Sequence, residues 1–97
     1  SSSAARTEST VPQQYLFILN SPFMIARSES LAQRLRQAAP DNATRLELAY
    51  SILFQRRPEP IEKQAGLLYL SEAEDNEKAW ARYAQVLLGT HEFMQVE

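Results

Sequence analysis

One histidine (His91), four carboxylates crowded into Glu72, Glu74, Asp75 and Glu77, and the adjacent cations Arg56 and Arg57 are the side chains best placed to do chemistry here. A catalytic or metal-binding histidine needs partners. The sequence offers no H-x3-H or H-E-x-x-H spacing and no cysteine. A solitary histidine in a closing helical turn reads as a cap or a surface residue. The acidic cluster lacks the alternating ligands, central glycine and twelfth-position glutamate of a calcium loop. Solvated charge at a helix start accounts for it, because carboxylates complement the N-terminal end of the helix dipole. Arg56 and Arg57 are able to grip a carboxylate in a two-pronged way, and at the end of a helix they also complement its carbonyls. Trp80, Tyr83, Tyr50, Phe54 and Tyr69 have the composition of an aromatic ligand cage, yet their helical spacing predicts core packing. No G-x-S-x-G elbow and no glycine-rich phosphate loop is present. No catalytic, metal or cofactor-binding residue is therefore assigned, and a non-enzymatic role is expected.

Composition narrows the classes further. The 97 residues are 44% hydrophobic and carry a net charge of −2, which predicts one globular domain with a modest core. Charge is uneven: up to Pro40, four arginines (Arg6, Arg27, Arg34, Arg36) face two glutamates (Glu8, Glu29), and the remainder is acidic. A phosphate-tracking surface resting on Arg27, Arg34 and Arg36 is too sparse, so no nucleic-acid partner is expected. No apolar run approaches the length of a membrane span. Only two glycines occur, with no Asn-Gly or Asp-Gly hairpin signal, which argues against an antiparallel sheet.

The elements that position these residues are helical. Residues 1–10 are small, polar and aperiodic, and are expected to form a flexible tail or linker, with Ser1 as a cut boundary. The helical domain is expected over 11–97. A short helix at about 13–20 places Tyr15, Leu16 and Leu19 on one side. Asn20-Ser21-Pro22-Phe23 punctuates the chain, with Ser21 as N-cap and Pro22 in the first turn. The second helix, about 22–38, carries Met24, Leu31 and Leu35 on one stripe and stops before Pro40. The third, about 42–55, has Leu46, Ala49, Tyr50, Leu53 and Phe54 at i, i+3, i+4, i+7 and i+8, and Leu48 and Ile52 widen its apolar face. The fourth starts at Pro60, with Ile61, Ala65, Leu68 and Tyr69 as the expected inward set and Leu67 and Leu70 flanking it. Gly66 inside it implies a close helix crossing. The fifth, about 77–88, repeats the third helix's spacing with Trp80, Tyr83, Ala84, Leu87 and Leu88, so these two helices are expected to face each other. Gly89 is expected to stop it in a left-handed conformation, with a further turn over 90–94 and Phe93 packing back.

Several blocks carry a family resemblance. Val11-Pro12-Gln13-Gln14 followed by Leu19-Asn20-Ser21-Pro22-Phe23 resembles the C-terminal domain of unknown function of large planctomycete proteins. Arg45-Leu46 with Ala49-Tyr50, the run Arg56-Arg57-Pro58-Glu59-Pro60, Ala79-Trp80, and Leu87-Leu88 leading to Glu92-Phe93 follow in the family's order. Gln55 stands where that family usually has glycine, and Gly89-Thr90-His91 replaces a polar N-S-N. The family's proteins often carry a planctomycete-type cytochrome c domain upstream. The resemblance therefore implies the C-terminal part of a larger periplasmic, cell-envelope or extracellular polypeptide. No haem is implied for these residues, which lack C-x-x-C-H.

The expectation is thus an all-α fold, a small orthogonal or up-down bundle of four main helices with a short leading helix. It should pack around Leu46, Tyr50, Leu53, Phe54, Leu68, Trp80, Tyr83 and Leu87. The expected role is a packing or interaction module for the remainder of its parent polypeptide or a protein partner. The candidate surface is Tyr15, Leu16, Phe17 and Ile18 together with Arg56 and Arg57, since a helix apolar all round needs cover on every face. An accessory domain shaping an upstream catalytic or redox site is the alternative.

Overall fold

A computed structural model describes residues 13–96, with side chains to His91, so the expected tail over 1–10 and the side chain of Phe93 lie outside the described residues. The fold is all-α: α1 (Gln13–Leu19), α2 (Pro22–Ala38), α3 (Asn42–Phe54), α4 (Pro60–Glu72) and α5 (Asn76–Val96). Local chemistry sets most boundaries. The Ser21 hydroxyl accepts from the Met24 N–H (3.3 Å) and donates to the Ile18 carbonyl (2.7 Å), so one side chain closes α1 and opens α2. Ala39 leaves the helix in an extended conformation ahead of Pro40. Asp41 caps α3 through Thr44 N–H at 3.0 Å, which holds its carboxyl below the usual range. At α4 the Glu59 N–H donates to the Glu62 carboxylate at 2.7 Å, with Pro60 in the first turn.

The core is a cluster around Trp80, Leu35, Leu46 and Leu70, each almost fully buried, joined by Met24, Tyr50, Leu53, Leu87 and Leu88. A polar chain locks its edge. The Trp80 indole N–H donates to Asn42 Oδ1 (2.9 Å), which also accepts from Asn76 Nδ2 (3.2 Å). Arg45 donates to Asn76 Oδ1 (3.3 Å) and, through Nε, to the Ala39 carbonyl (2.7 Å). One guanidinium thus ties the end of α2 to the starts of α3 and α5.

Four expectations change. The most extensive helix pairing is α2 with α5, not α3 with α5. The buried face of α2 is Met24, Ser28, Ala32 and Leu35. Ser28 and Ala32 are small enough to bring α5 close, and the Ser28 hydroxyl is satisfied by donating to the Met24 carbonyl at 2.8 Å. Gly89 does not end α5, which runs on to Val96. A Cβ there would lie 2.6 Å from Tyr15 Oη and 2.8 Å from Leu19 Cδ1, so this glycine is the seat of α1. Leu68, expected in the core, is 58% exposed, and Ile61 and Tyr69 are exposed with it. Helix α4 instead turns Gly66 and Leu70 inward, because Gly66 crosses against Leu46 and Tyr83. Phe54 and Tyr83 are partly buried at the margin of the core, where they border a groove.

Candidate interaction groove and docking surface

Turning α4 by its glycine opens a groove of about 710 Å³ between α4, α5 and the end of α3. Tyr50, Phe54, Tyr69 and Tyr83 supply its aromatic lining, and Arg56, Glu62 and Arg82 supply its charge. The rings are mutually supported: Tyr50 and Phe54 tilt together at 5.3 Å, Tyr83 meets Trp80 edge-on at 5.6 Å, and Tyr69 stacks on Tyr83 at 6.3 Å. Burial pushes the Tyr83 phenol well above its ordinary value, with the Tyr50 hydroxyl beside it adding to the shift. Burial likewise raises Tyr50. Both phenols are neutral hydrogen-bonding groups at physiological pH.

One end of the groove is built by Arg56. Its guanidinium lies 5.4 Å from the Tyr50 ring centre and 5.5 Å from that of Phe54, and it grips Glu62 through two bonds of 2.9 and 3.1 Å. Arg56 and the Glu59 N–H hold the Glu62 carboxyl below the usual glutamate range. Arg57, although mostly exposed, contacts Glu47 at 3.3 Å, and Lys63 meets the same carboxylate at 3.0 Å. Lys63 first, and Arg57 with it, hold Glu47 below its ordinary value. Both arginines expected to meet a partner are therefore engaged within the domain.

The other expected surface is divided. Tyr15 is half-buried against Gly89, and Leu19 packs beside it. Gln85 fixes the end of α1 by donating to the Leu19 carbonyl at 3.1 Å and to Asn20 Oδ1 at 3.3 Å. Leu16, Phe17 and Ile18 face solvent, Phe17 at 79% exposure, and Phe23 at the start of α2 is exposed as well. Of the sparse basic set, Arg36 pairs with Glu77 at 2.8 Å and Arg27 covers the Phe23 ring at 5.8 Å. His91 packs near Phe54, with ring centres 6.1 Å apart. Among the described residues, no cluster of His, Asp and Glu side chains is arranged to hold a metal ion, and no helix is long and apolar enough to cross a membrane.

Residues 1–70 match the PSD1 family, Protein of unknown function (DUF1553). The chain belongs to this family. The DUF1553 match takes in α1 to α3 and most of α4, including Gly66, Arg56 and Glu62, and stops at Leu70 inside α4. Helix α5 lies beyond the match, and with it Trp80, Tyr83 and Gly89. No curated protein and no solved structure matches the chain. The Ser21-Pro22 punctuation and the Arg56-Arg57-Pro58 run fall inside the DUF1553 match, whereas Ala79-Trp80 and Leu87-Leu88 fall outside it.

Sequence reasoning missed the groove because it gave the fourth helix the wrong inward face. The available signal was Gly66, whose need for a close crossing competes directly with the bulkier stripe at Ile61, Leu68 and Tyr69.

Proposed function

We propose that this DUF1553 domain is a non-catalytic packing and interaction module that docks against the remainder of a larger polypeptide through the outward face of α1. The observation that carries this reading is that Leu16, Phe17 and Ile18 are exposed on a helix held in place by Tyr15, Leu19 and Gln85. A seven-residue helix is too short to persist alone in water, so this one is kept by its contacts with α5. Its anchoring side leaves a ready-made apolar ridge on the opposite side. Ridges of that kind mark sites of association. The resemblance to the C-terminal domain of planctomycete proteins adds the setting: an exported or cell-envelope chain in which other domains carry any redox chemistry.

The test is capture in trans. The 97-residue domain, immobilised, is expected to retain the rest of its parent polypeptide, and Phe17→Ser with Ile18→Ser is expected to abolish retention while far-UV circular dichroism stays unchanged. Equal retention by the double variant refutes docking through α1.

A further inference from the structure

We propose that the α4–α5 groove is a second docking site, and that its occupant is an acidic amphipathic helix of a protein partner. The inference rests on the reading of the domain as an interaction module, but uses a surface distinct from α1.

Three observations select that occupant. First, the groove has apolar shoulders as well as an apolar floor. Ile61 is 71% exposed, Leu68 lies two turns along the same face of α4 and is exposed as well, and Val86 stands exposed on the α5 side. Ile61 and Leu68 lie outside the hollow itself, so a small molecule seated in it leaves both in water. A helix lying across the hollow covers them. The spacing Ile61, Ala65, Leu68, Tyr69 runs for about 12 Å along α4, a little over two helical turns, which suits ridge-in-groove recognition.

Second, the charge of the lining is net positive. The domain is net acidic, yet the lining contributes two guanidinium groups against one carboxylate. Glu62 is consumed by Arg56, whereas Arg82 is exposed at the rim and forms no ion pair among the described residues. A carboxylate on the partner helix, beside its apolar ridge, meets Arg82 without displacing an existing pair. Third, two candidates from the chain itself fit poorly. Helix α1 offers an apolar ridge but no acidic residue. A second copy packed groove to groove about a two-fold axis brings this cation-rich lining against itself.

The probe is a fluorescein-labelled synthetic helix of about 14 residues, with leucine at i, i+3 and i+7 flanked by glutamates. A matched peptide with lysines in place of the glutamates is the comparison. Anisotropy titration is expected to show the acidic peptide binding at least about tenfold more tightly, with Arg82→Glu reversing the order. Amide shifts on binding are expected along residues 61–69 and 82–90. Ile61→Ser with Leu68→Ser is expected to weaken binding about tenfold without loss of helicity, because both side chains are already solvated. Phe17→Ser, the variant that tests docking through α1, leaves peptide binding unchanged, so the two readings fail separately. Equal affinity for the two peptides, shifts confined to α1, or sedimentation as a dimer that excludes the peptide overturns the assignment.

Discussion

Replacing Gly66 by alanine sets two magnitudes of opposite sign against each other. On propensity alone, alanine in the middle of α4 stabilises the helix by about 0.8–1.0 kcal/mol. In this structure its Cβ would lie 2.5 Å from Tyr83 Oη, 2.6 Å from Leu46 Cδ1 and 3.1 Å from Tyr83 Cζ. Carbon atoms in ordinary contact sit at about 3.5–4.0 Å, so neighbours must withdraw by roughly 1 Å. Tyr83 has room to swing into the groove at the expense of its contacts with Trp80 and Tyr69. Leu46 is fully buried and has nowhere to go. Overpacking of this kind costs about 1–3 kcal/mol. With the propensity gain subtracted, Gly66→Ala is expected to lose about 1 kcal/mol, within a span of about 0–2, and to lower Tm by roughly 4–8 °C for a domain of this size. Thermal and urea melts followed by circular dichroism read the change. Ala65→Gly, one position earlier on the exposed side, supplies the propensity scale without any clash. Tyr83→Phe removes the nearest atom, and the double variant is expected to recover part of the loss, leaving the Leu46 contribution. A Gly66→Ala protein that is more stable than the parent by the full propensity gain of about 1 kcal/mol refutes the close crossing, and with it the reason α4 faces the way it does.

Further outcomes test the rest of the framework. Asn42→Ala strips the Trp80 indole of its acceptor and is expected to cost about 1–3 kcal/mol in urea melts, whereas Asn42→Asp, which keeps an acceptor, costs less. Equal effects of the two would show that the indole bond contributes little. Gln55 adopts a left-handed conformation (φ 54°), so Gln55→Gly is expected to stabilise by about 0.5–1 kcal/mol; a lowered Tm counts against strain at that position. The Glu62 carboxyl sits below the ordinary glutamate value of 4.5, so its contribution is full above that pH and is lost as pH falls through the lower folded value. Acidification from pH 7 to pH 3 is therefore expected to destabilise the parent more than Arg56→Gln, and parallel pH profiles would refute the linkage.

The helical class and most boundaries were legible because they depend on neighbours in sequence. Ser21, Pro22 and Pro60 act within a single turn, and the structure uses each of them as its type predicts. The core aromatic was legible too: Trp80 is fully buried on the stripe that places it beside Ala84 and Leu87. Helix partnership was not, because it depends on what small residues permit. Ser28 and Ala32 contribute little to an apolar stripe, yet they admit α5 against α2. Gln55 shows a subtler limit. The end of α3 takes a left-handed turn with a side chain in it, which no stripe of apolar residues signals.

The two glycines connect these misreadings to function. A periodicity argument looks for the widest apolar stripe and turns it inward, because burying large side chains yields the largest hydrophobic gain. Gly66 and Gly89 reverse that preference locally. A helix seated through a glycine contact approaches its neighbour more closely than one separated by leucines. At Gly66 this turns Ile61, Leu68 and Tyr69 away from the core while Leu70 stays inside it. At Gly89 it receives Tyr15 and Leu19, leaving Leu16, Phe17 and Ile18 outside. Both exposed ridges are thus consequences of close packing around α5. Solvent exposure of ridges this large works against solubility, and their cover by a partner removes that penalty. The features that disrupt the sequence pattern are therefore the same features that shape the surfaces assigned to docking.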